Sequence, residues 1–250
     1  MANEEHIDIL NQGVSNWNKW RRENRHVKPD LVDANLENMN LAFINLMNAR
    51  LERAKLCFAN LNRAHLEGAS FNNANLKGAI LYKAHFLGAT FKHTNLSNTI
   101  LRRTLLENIN FEGANLECAS IEYANLANSN FRGAILIGAY FEGANLEGAN
   151  FEDANLEEAD LENAHLGNTN LVRAKLLNSI LRGAYLCDAD LLGADMRRAD
   201  LRGANLTGAD LRDANLIFAL IRGANFQDVN LQGAKLLRTY FRQKLNSIKK

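Results

Sequence analysis

The sequence predicts an all-β solenoid, a four-sided coil of short extended segments stacked on itself, with a helical cap at each end. Three observations carry this. Every fifth residue from Leu31 to Phe241 is large and apolar; of these 43 centres, 31 are Leu, 9 Phe, 2 Ile and 1 Met. Two residues before each centre, from Ala34 to Thr239, 31 of 42 positions hold Ala. Phe71, Phe91, Phe111, Phe131 and Phe151 follow one another at intervals of 20.

A period of five fits neither the 3.6 residues of a helix nor the two of a long strand. It fits a short extended segment followed by a turn. In an extended triplet, alternate residues point to the same side, so the small residue and the centre both face inward. The Asn or Asp between them faces out, as Asn145 does between Ala144 and Leu146. Two places after the centre lie 14 of the 16 Gly, with 9 Asn and 5 Asp. These residues tolerate the positive φ of the third position of a type II turn. Fourteen such positions hold other residues, among them Arg53, Lys83, Arg103 and Phe218, and type I-like turns are expected there. Twenty residues make four units, so the chain closes a four-sided coil. The five Phe then form an internal ladder at about 4.8 Å, the spacing between strands.

The unit, small-(Asn/Asp)-(Leu/Phe)-X-X, resembles that of the pentapeptide repeat family, and it covers 211 of the 250 residues without an insertion. The resemblance implies a right-handed quadrilateral β-helix of about 10.5 coils, a rod roughly 50 Å long. The segments Leu10-Asn11-Gln12-Gly13-Val14 and Trp17-Asn18-Lys19-Trp20-Arg21 are similar to leaders on cyanobacterial members of that family.

A stacked coil leaves open backbone groups at both ends. Residues 1–30 are expected to cap the first coil. Ile7, Leu10, Val14 and Trp17 have helical spacing over 4–23, with Trp20 alongside. Asn3 before Glu4 and Glu5 suits a helix start, and Pro29 stops any helix before the repeat of 31–241. At the other end, 236–250 overlaps the last repeat. Leu237, Tyr240, Phe241, Leu245 and Ile248 have helix-like spacing among basic residues, and a cap and a dimer contact are equal alternatives there. In relatives that target DNA gyrase, C-terminal elements form the dimer interface. The chain is therefore expected to be a monomer or a dimer through its terminal helices.

Composition excludes several classes. Net charge is +1, which removes the simplest case for a general nucleic-acid or membrane-surface binder. Cys57, Cys118 and Cys187 have no metal or disulfide spacing, which suits reduced thiols in the cytoplasm. The first ten residues contain acids and no apolar run, so no signal peptide is expected. No stretch approaches the ~18 apolar residues of a membrane-spanning helix.

No catalytic, cofactor or metal set emerges. None of the six His has helical zinc-site spacing. His65 and His85 lie 20 apart and should stack on the outside as a solvated ladder, with a two-His metal site as the lesser alternative. Ser and Thr at the small inward position read as packing variants.

Charge is patterned. Residues 107–162 hold 12 Asp and Glu against Arg132 alone, whereas 1–106 and 163–250 carry +5 and +7. The candidate partner-binding belt comprises Glu107, Glu112, Glu117, Glu122, Glu142, Glu147, Glu152, Glu157 and Glu162. Along one column Arg102 precedes Glu122, Glu142 and Glu162, and the candidate basic column Arg182, Arg202 and Arg222 follows. The three stacked Glu repel without obvious structural benefit; a solvated acidic face is the plain reading, and a docking strip for a basic partner is the functional one. Outward Ile80 and Ile100 should stack near Leu105, while Ile135, Ile137, Leu177 and Ile217 lie on or near one edge. Contiguous exposed apolar area marks partner sites.

The favoured function is a non-enzymatic protein-interaction scaffold with a protein partner. The resemblance supplies an alternative, because some family members mimic DNA and bind gyrase. Those are acidic along much of their length, whereas here Arg182, Arg202 and Arg222 stand where phosphate mimics should continue. Direct nucleic-acid binding through that Arg column is a further alternative. Few aromatic residues interleave with it to stack on bases.

Overall fold

A computed structural model describes residues 2–237. Parallel bridges link residues 20 apart, from Asp30–Arg50 to Asn215–Lys235, one for every five-residue unit. Four units therefore make one coil, and each coil lies directly on the one before.

The unit around Leu146 shows why the repeat is stable. Its five amides all find partners. The Leu146 amide donates to His165 O at 2.8 Å and the Gly148 amide to Gly167 O at 2.9 Å, both in the following coil. The Asn150 amide donates to Ser129 O in the preceding coil, and the Ala149 amide closes the turn on Leu146 O. The fifth, from Glu147, is taken by Asn145 Oδ1 at 3.2 Å. The outward Asn or Asp thus has a backbone task, which accounts for its place in the repeat. Its amide group also bonds along the stack, as from Asn145 Nδ2 to Asn125 Oδ1 at 3.0 Å.

Centres and small residues fill the interior. The five ladder Phe are at most 1% exposed. Their rings stack at 4.9, 5.4, 4.8 and 4.8 Å from Phe71 to Phe151. Inward Thr94, Thr99, Ser129, Thr169 and Ser179 are buried, and each hydroxyl donates to a backbone carbonyl. They are packing residues.

The turns differ from expectation in one respect. Arg53, Lys83, Arg103 and Phe218 adopt φ of 59°, 55°, 55° and 63°, the same left-handed conformation as the Gly, Asn and Asp of other units. The register imposes it. The third turn residue must aim its amide at the next coil, as Arg53 does at Asn72 O, and the ladder overrides the local cost of about 1–2 kcal/mol.

Among the described residues the repeat is thin at one place. In the coil 91–110 all four small positions carry larger residues, Thr94, Thr99, Thr104 and Ile109. The amides of Lys83, Phe86, Gly88, Leu105 and Asn110 lack their expected ladder bonds there.

Two helices rather than one precede the coil, α1 (Glu4–Asn11) and α2 (Val14–Glu23). Gly13, at φ 98°, breaks the run between them. Asn3 caps α1 by accepting from the His6 amide. The helices satisfy part of the open edge of the first coil. Trp17 is fully buried and its Nε1 donates to Asn45 O at 2.7 Å. Asn18 Oδ1 accepts the Asn45 amide at 2.8 Å. Arg21 bonds Val27 O and Met47 O, and His6 Nδ1 accepts the Asp30 amide. Leu31 and Leu36, the first centres, are at most 1% exposed beneath this cover. The expected C-terminal cap over 236–250 lies outside the described residues apart from Leu236 and Leu237.

Candidate protein-interaction surface

The residue after each centre projects from the rod, and residues 20 apart share a side. This distributes the nine Glu over all four sides. Glu107 and Glu147 share one side, Glu112 and Glu152 a second, Glu117 and Glu157 a third. In each of these pairs an intervening coil carries a different residue: Ala127, Arg132 or Ile137. Only Glu122, Glu142 and Glu162 occupy consecutive coils.

Many of the carboxylates already have partners within the chain. Lys92 Nζ lies 2.9 Å from Glu112 and holds its carboxyl below the usual range. Glu152 sits between Arg132 at 3.6 Å and Arg173 at 2.6 Å. Glu107 accepts from Asn125 Nδ2. The three stacked Glu are framed by cations, with Arg102 3.5 Å from Glu122 and Arg182 2.5 Å from Glu162. Glu122 also accepts from Ser120 Oγ. Exposed Glu142, at the middle, accepts instead from Tyr123 Oη at 2.6 Å, which raises the phenol's pKa.

The basic column is similarly occupied. Arg202 forms a close pair with Asp200 at 2.6 Å, and that contact holds the Asp200 carboxyl low. Asp195–Arg197 and Asp210–Arg212 repeat this pairing, each at 2.6 Å. The sequence contained the signal, Asp before a centre and Arg after it, both facing out across one turn. Arg222 is exposed near the end of the described coil.

Apolar residues form two local patches. Ile80 and Ile100 are bridged neighbours, 38% and 39% exposed, and Leu105 is 69% exposed. Leu177, Ile217 and Phe218 line a shallow cleft with Arg197 and Arg198. Ile135 is exposed and Ile137 half-buried, and neither lines that cleft. Cys118 is exposed, Cys57 and Cys187 are half-buried, and all three are free thiols. Among the described residues no helix is long and apolar enough to cross a membrane.

Comparison with known proteins agrees with this architecture. A family model described as pentapeptide repeats (8 copies) matches overlapping segments that run without a gap from 30 to 243. The crystal structure of HetL, a pentapeptide repeat protein involved in heterocyst differentiation regulation from the cyanobacterium Nostoc sp. strain PCC 7120, is 29% identical. The match covers 86% of this chain and 94% of HetL, with a TM-score of 0.58. Rfr23 from the cyanobacterium Cyanothece 51142 is 36% identical over 38% of this chain and 58% of its own, with a TM-score of 0.27. QnrB1, a plasmid-mediated fluoroquinolone resistance protein, is 21% identical over 78% of this chain and 95% of its own, with a TM-score of 0.33. No curated protein sequence matches. With its five-residue unit, its 20-residue coil and a family match spanning nearly the whole repeat, the chain belongs to the pentapeptide repeat family.

Proposed function

We propose that the protein is a non-enzymatic interaction scaffold in the cytoplasm that binds a protein partner through the side of the rod bearing Glu122, Glu142 and Glu162. The carrying observation is the arrangement of that side. Its outer carboxylates are engaged by Arg102 and Arg182, while Glu142 is exposed between them with Tyr123 as its neighbour. A basic side chain of a partner meets one accessible carboxylate on a backbone tied to both neighbouring coils, through the Phe141 amide to Asp160 O and the Asn145 amide to Ala124 O, so little ordering entropy is lost on docking. The rigid scaffold suits this role, as it does in other solenoids. The likeness to HetL, whose described role is regulatory, supports a regulatory contact.

The two alternatives have less support. A DNA mimic needs unneutralised negative charge along the rod, but Lys92, Arg132, Arg173 and Arg182 each engage a Glu of the belt. Nucleic-acid binding needs accessible cations, yet Arg182 and Arg202 are held by Glu162 and Asp200. The N-terminal helices are engaged by the first coil through Trp17, Asn18 and Arg21, so a dimer through them would have to use their outward faces.

The test is capture from host lysate on wild type beside a Glu122/Glu142/Glu162→Gln variant, with and without nuclease. A protein retained by wild type under nuclease and lost from the variant is the expected result. Recovery of gyrase subunits would favour the DNA-mimic alternative. A signal abolished by nuclease would favour the nucleic-acid alternative, and identical recoveries would overturn the docking strip.

A further inference from the structure

We propose that His65, Glu67 and His85 form a surface site for a borderline divalent transition-metal ion such as Zn²⁺, linking two adjacent coils. Coil register brings the residues together. His65 and His85 are bridged neighbours whose ring centroids lie 5.0 Å apart, tilted by 31°. Glu67 follows His65 across one turn and reaches back toward both rings. Its Oε1 lies 3.4 Å from His65 Nδ1 and 3.9 Å from His85 Nδ1. One ligand atom from each residue falls within 4.8 Å of the other two.

Zinc bonds of about 2.1 Å in a tetrahedron place neighbouring ligand atoms about 3.4 Å apart. One separation already meets that value and a second exceeds it by about half an ångström, within reach of ring rotation about exposed side chains. A second observation points to a ligand. Glu67 Oε2 is enclosed and has no hydrogen-bond partner, which is costly for a carboxylate oxygen. Within its column Glu67 lies between Met47 and Leu87, so no protein donor replaces water there. A cation shared between Glu67 and the two imidazoles would compensate for that desolvation.

The donor set decides the class of metal. Two imidazole nitrogens and one carboxylate suit Zn²⁺, Cu²⁺ or Ni²⁺, whereas Mg²⁺ and Ca²⁺ prefer oxygen. Three protein ligands leave a position for water or for a group from a partner. The coils it would link, 51–70 and 71–90, are already ladder-bonded beside the site, by the His85 amide to Ala64 O at 3.0 Å and the Leu66 amide to His85 O at 2.9 Å. The missing bonds of Phe86, Gly88 and Leu105 belong to the next junction, between 71–90 and 91–110. A metal bridging His65 and His85 would add a cross-link to an intact junction. Binding only the folded state, it would stabilise the chain by mass action.

The experiment is titration of the tag-free full chain with Zn²⁺ alone, by calorimetry and by competition with a chromogenic chelator under reducing conditions. Glu67→Gln, His65→Ala/His85→Ala and Cys57→Ser/Cys118→Ser/Cys187→Ser variants run in parallel, each checked for native circular dichroism. One equivalent of Zn²⁺ should bind wild type and the Cys variant and raise the melting temperature of both. Affinity should fall at least about tenfold in Glu67→Gln, and the equivalent should vanish in the double His variant. The proposal is overturned if wild type takes up no stoichiometric Zn²⁺, if the double His variant keeps the equivalent, or if Mg²⁺ competes on equal terms.

Discussion

Phe111 is the sharpest probe of the interior. It is 1% exposed and its ring stacks on Phe91 at 5.4 Å and on Phe131 at 4.8 Å. Leu is the commonest residue at the centres, so the backbone accepts Leu without rearrangement. Phe111→Leu therefore removes two aromatic contacts while retaining most of the apolar volume. At about 0.5–1.5 kcal/mol per pair, the loss is about 1–3 kcal/mol. Phe111→Ala adds a cavity between neighbouring coils and should cost about 3–5 kcal/mol. Phe111→Asp places an unpaired carboxyl in the ladder and should cost more than about 4 kcal/mol, a large part of the stability of an ordinary domain. Urea unfolding followed by far-ultraviolet circular dichroism orders the three, read as midpoint shifts at constant slope. A native spectrum and an unchanged midpoint for Phe111→Asp would refute the inward assignment of the centres. An unchanged midpoint for Phe111→Leu would show that stacking contributes nothing beyond apolar volume.

Other perturbations separate the remaining parts of the account. Trp17→Ala should destabilise the N-terminal cap by about 3–5 kcal/mol and leave Asn45 O without its donor, giving a lower melting temperature and larger species by light scattering. Unaltered melting and a single monodisperse species would contradict the cap. Arg173 holds the Asp153 carboxyl below its usual range, so this pair's contribution is fully present above the ordinary carboxylate pKa and is lost as pH falls through the lower folded value. The melting temperature of wild type should therefore fall more steeply below about pH 4 than that of Asp153→Asn, and parallel profiles would sink the assignment. Glu158 is exposed at φ 59°. Glu158→Gly should raise the unfolding midpoint, because about 1–2 kcal/mol of left-handed strain outweighs about 0.5–1 kcal/mol of added chain entropy. A lowered midpoint would contradict the left-handed turn.

Much of the architecture was legible because two periods, five and 20, act on the same residues. The Phe column defined the coil length, since only a 20-residue coil brings Phe71 and Phe91 into contact. What escaped were consequences of stacking that no single unit carries. Arg53 and Phe218 have no local preference for positive φ, and the next coil demands it. The outward Asn looked solvent-directed, but Asn145 Oδ1 turns back onto the Glu147 amide. The α1–α2 break turned on Gly13, which the hydrophobic spacing of Ile7 to Trp17 runs straight across.

The surface was less legible, because charge counts along a chain do not say which side of a coil a residue faces. Nine Glu in one stretch suggested a belt, yet register leaves three in consecutive coils and spreads the other six over three sides. The Asp–Arg pairs across single turns were visible as spacing but have meaning only once both flanks of a centre are known to point outward. Glu67 was overlooked for the same reason. His65 and His85 were paired by period, while the carboxylate between them is brought in by the turn.

The most direct test compares two substitutions of equal charge on different sides of the rod. Glu142 and Glu147 are both exposed and one unit apart, but only Glu142 lies in the stacked column. Partner recovery from lysate would be quantified for Glu142→Lys and Glu147→Lys beside wild type, with circular dichroism confirming the fold of each. The account predicts that Glu142→Lys loses a partner that Glu147→Lys and wild type retain. Equal recovery by both variants, or equal loss from both, would contradict a docking side centred on Glu142.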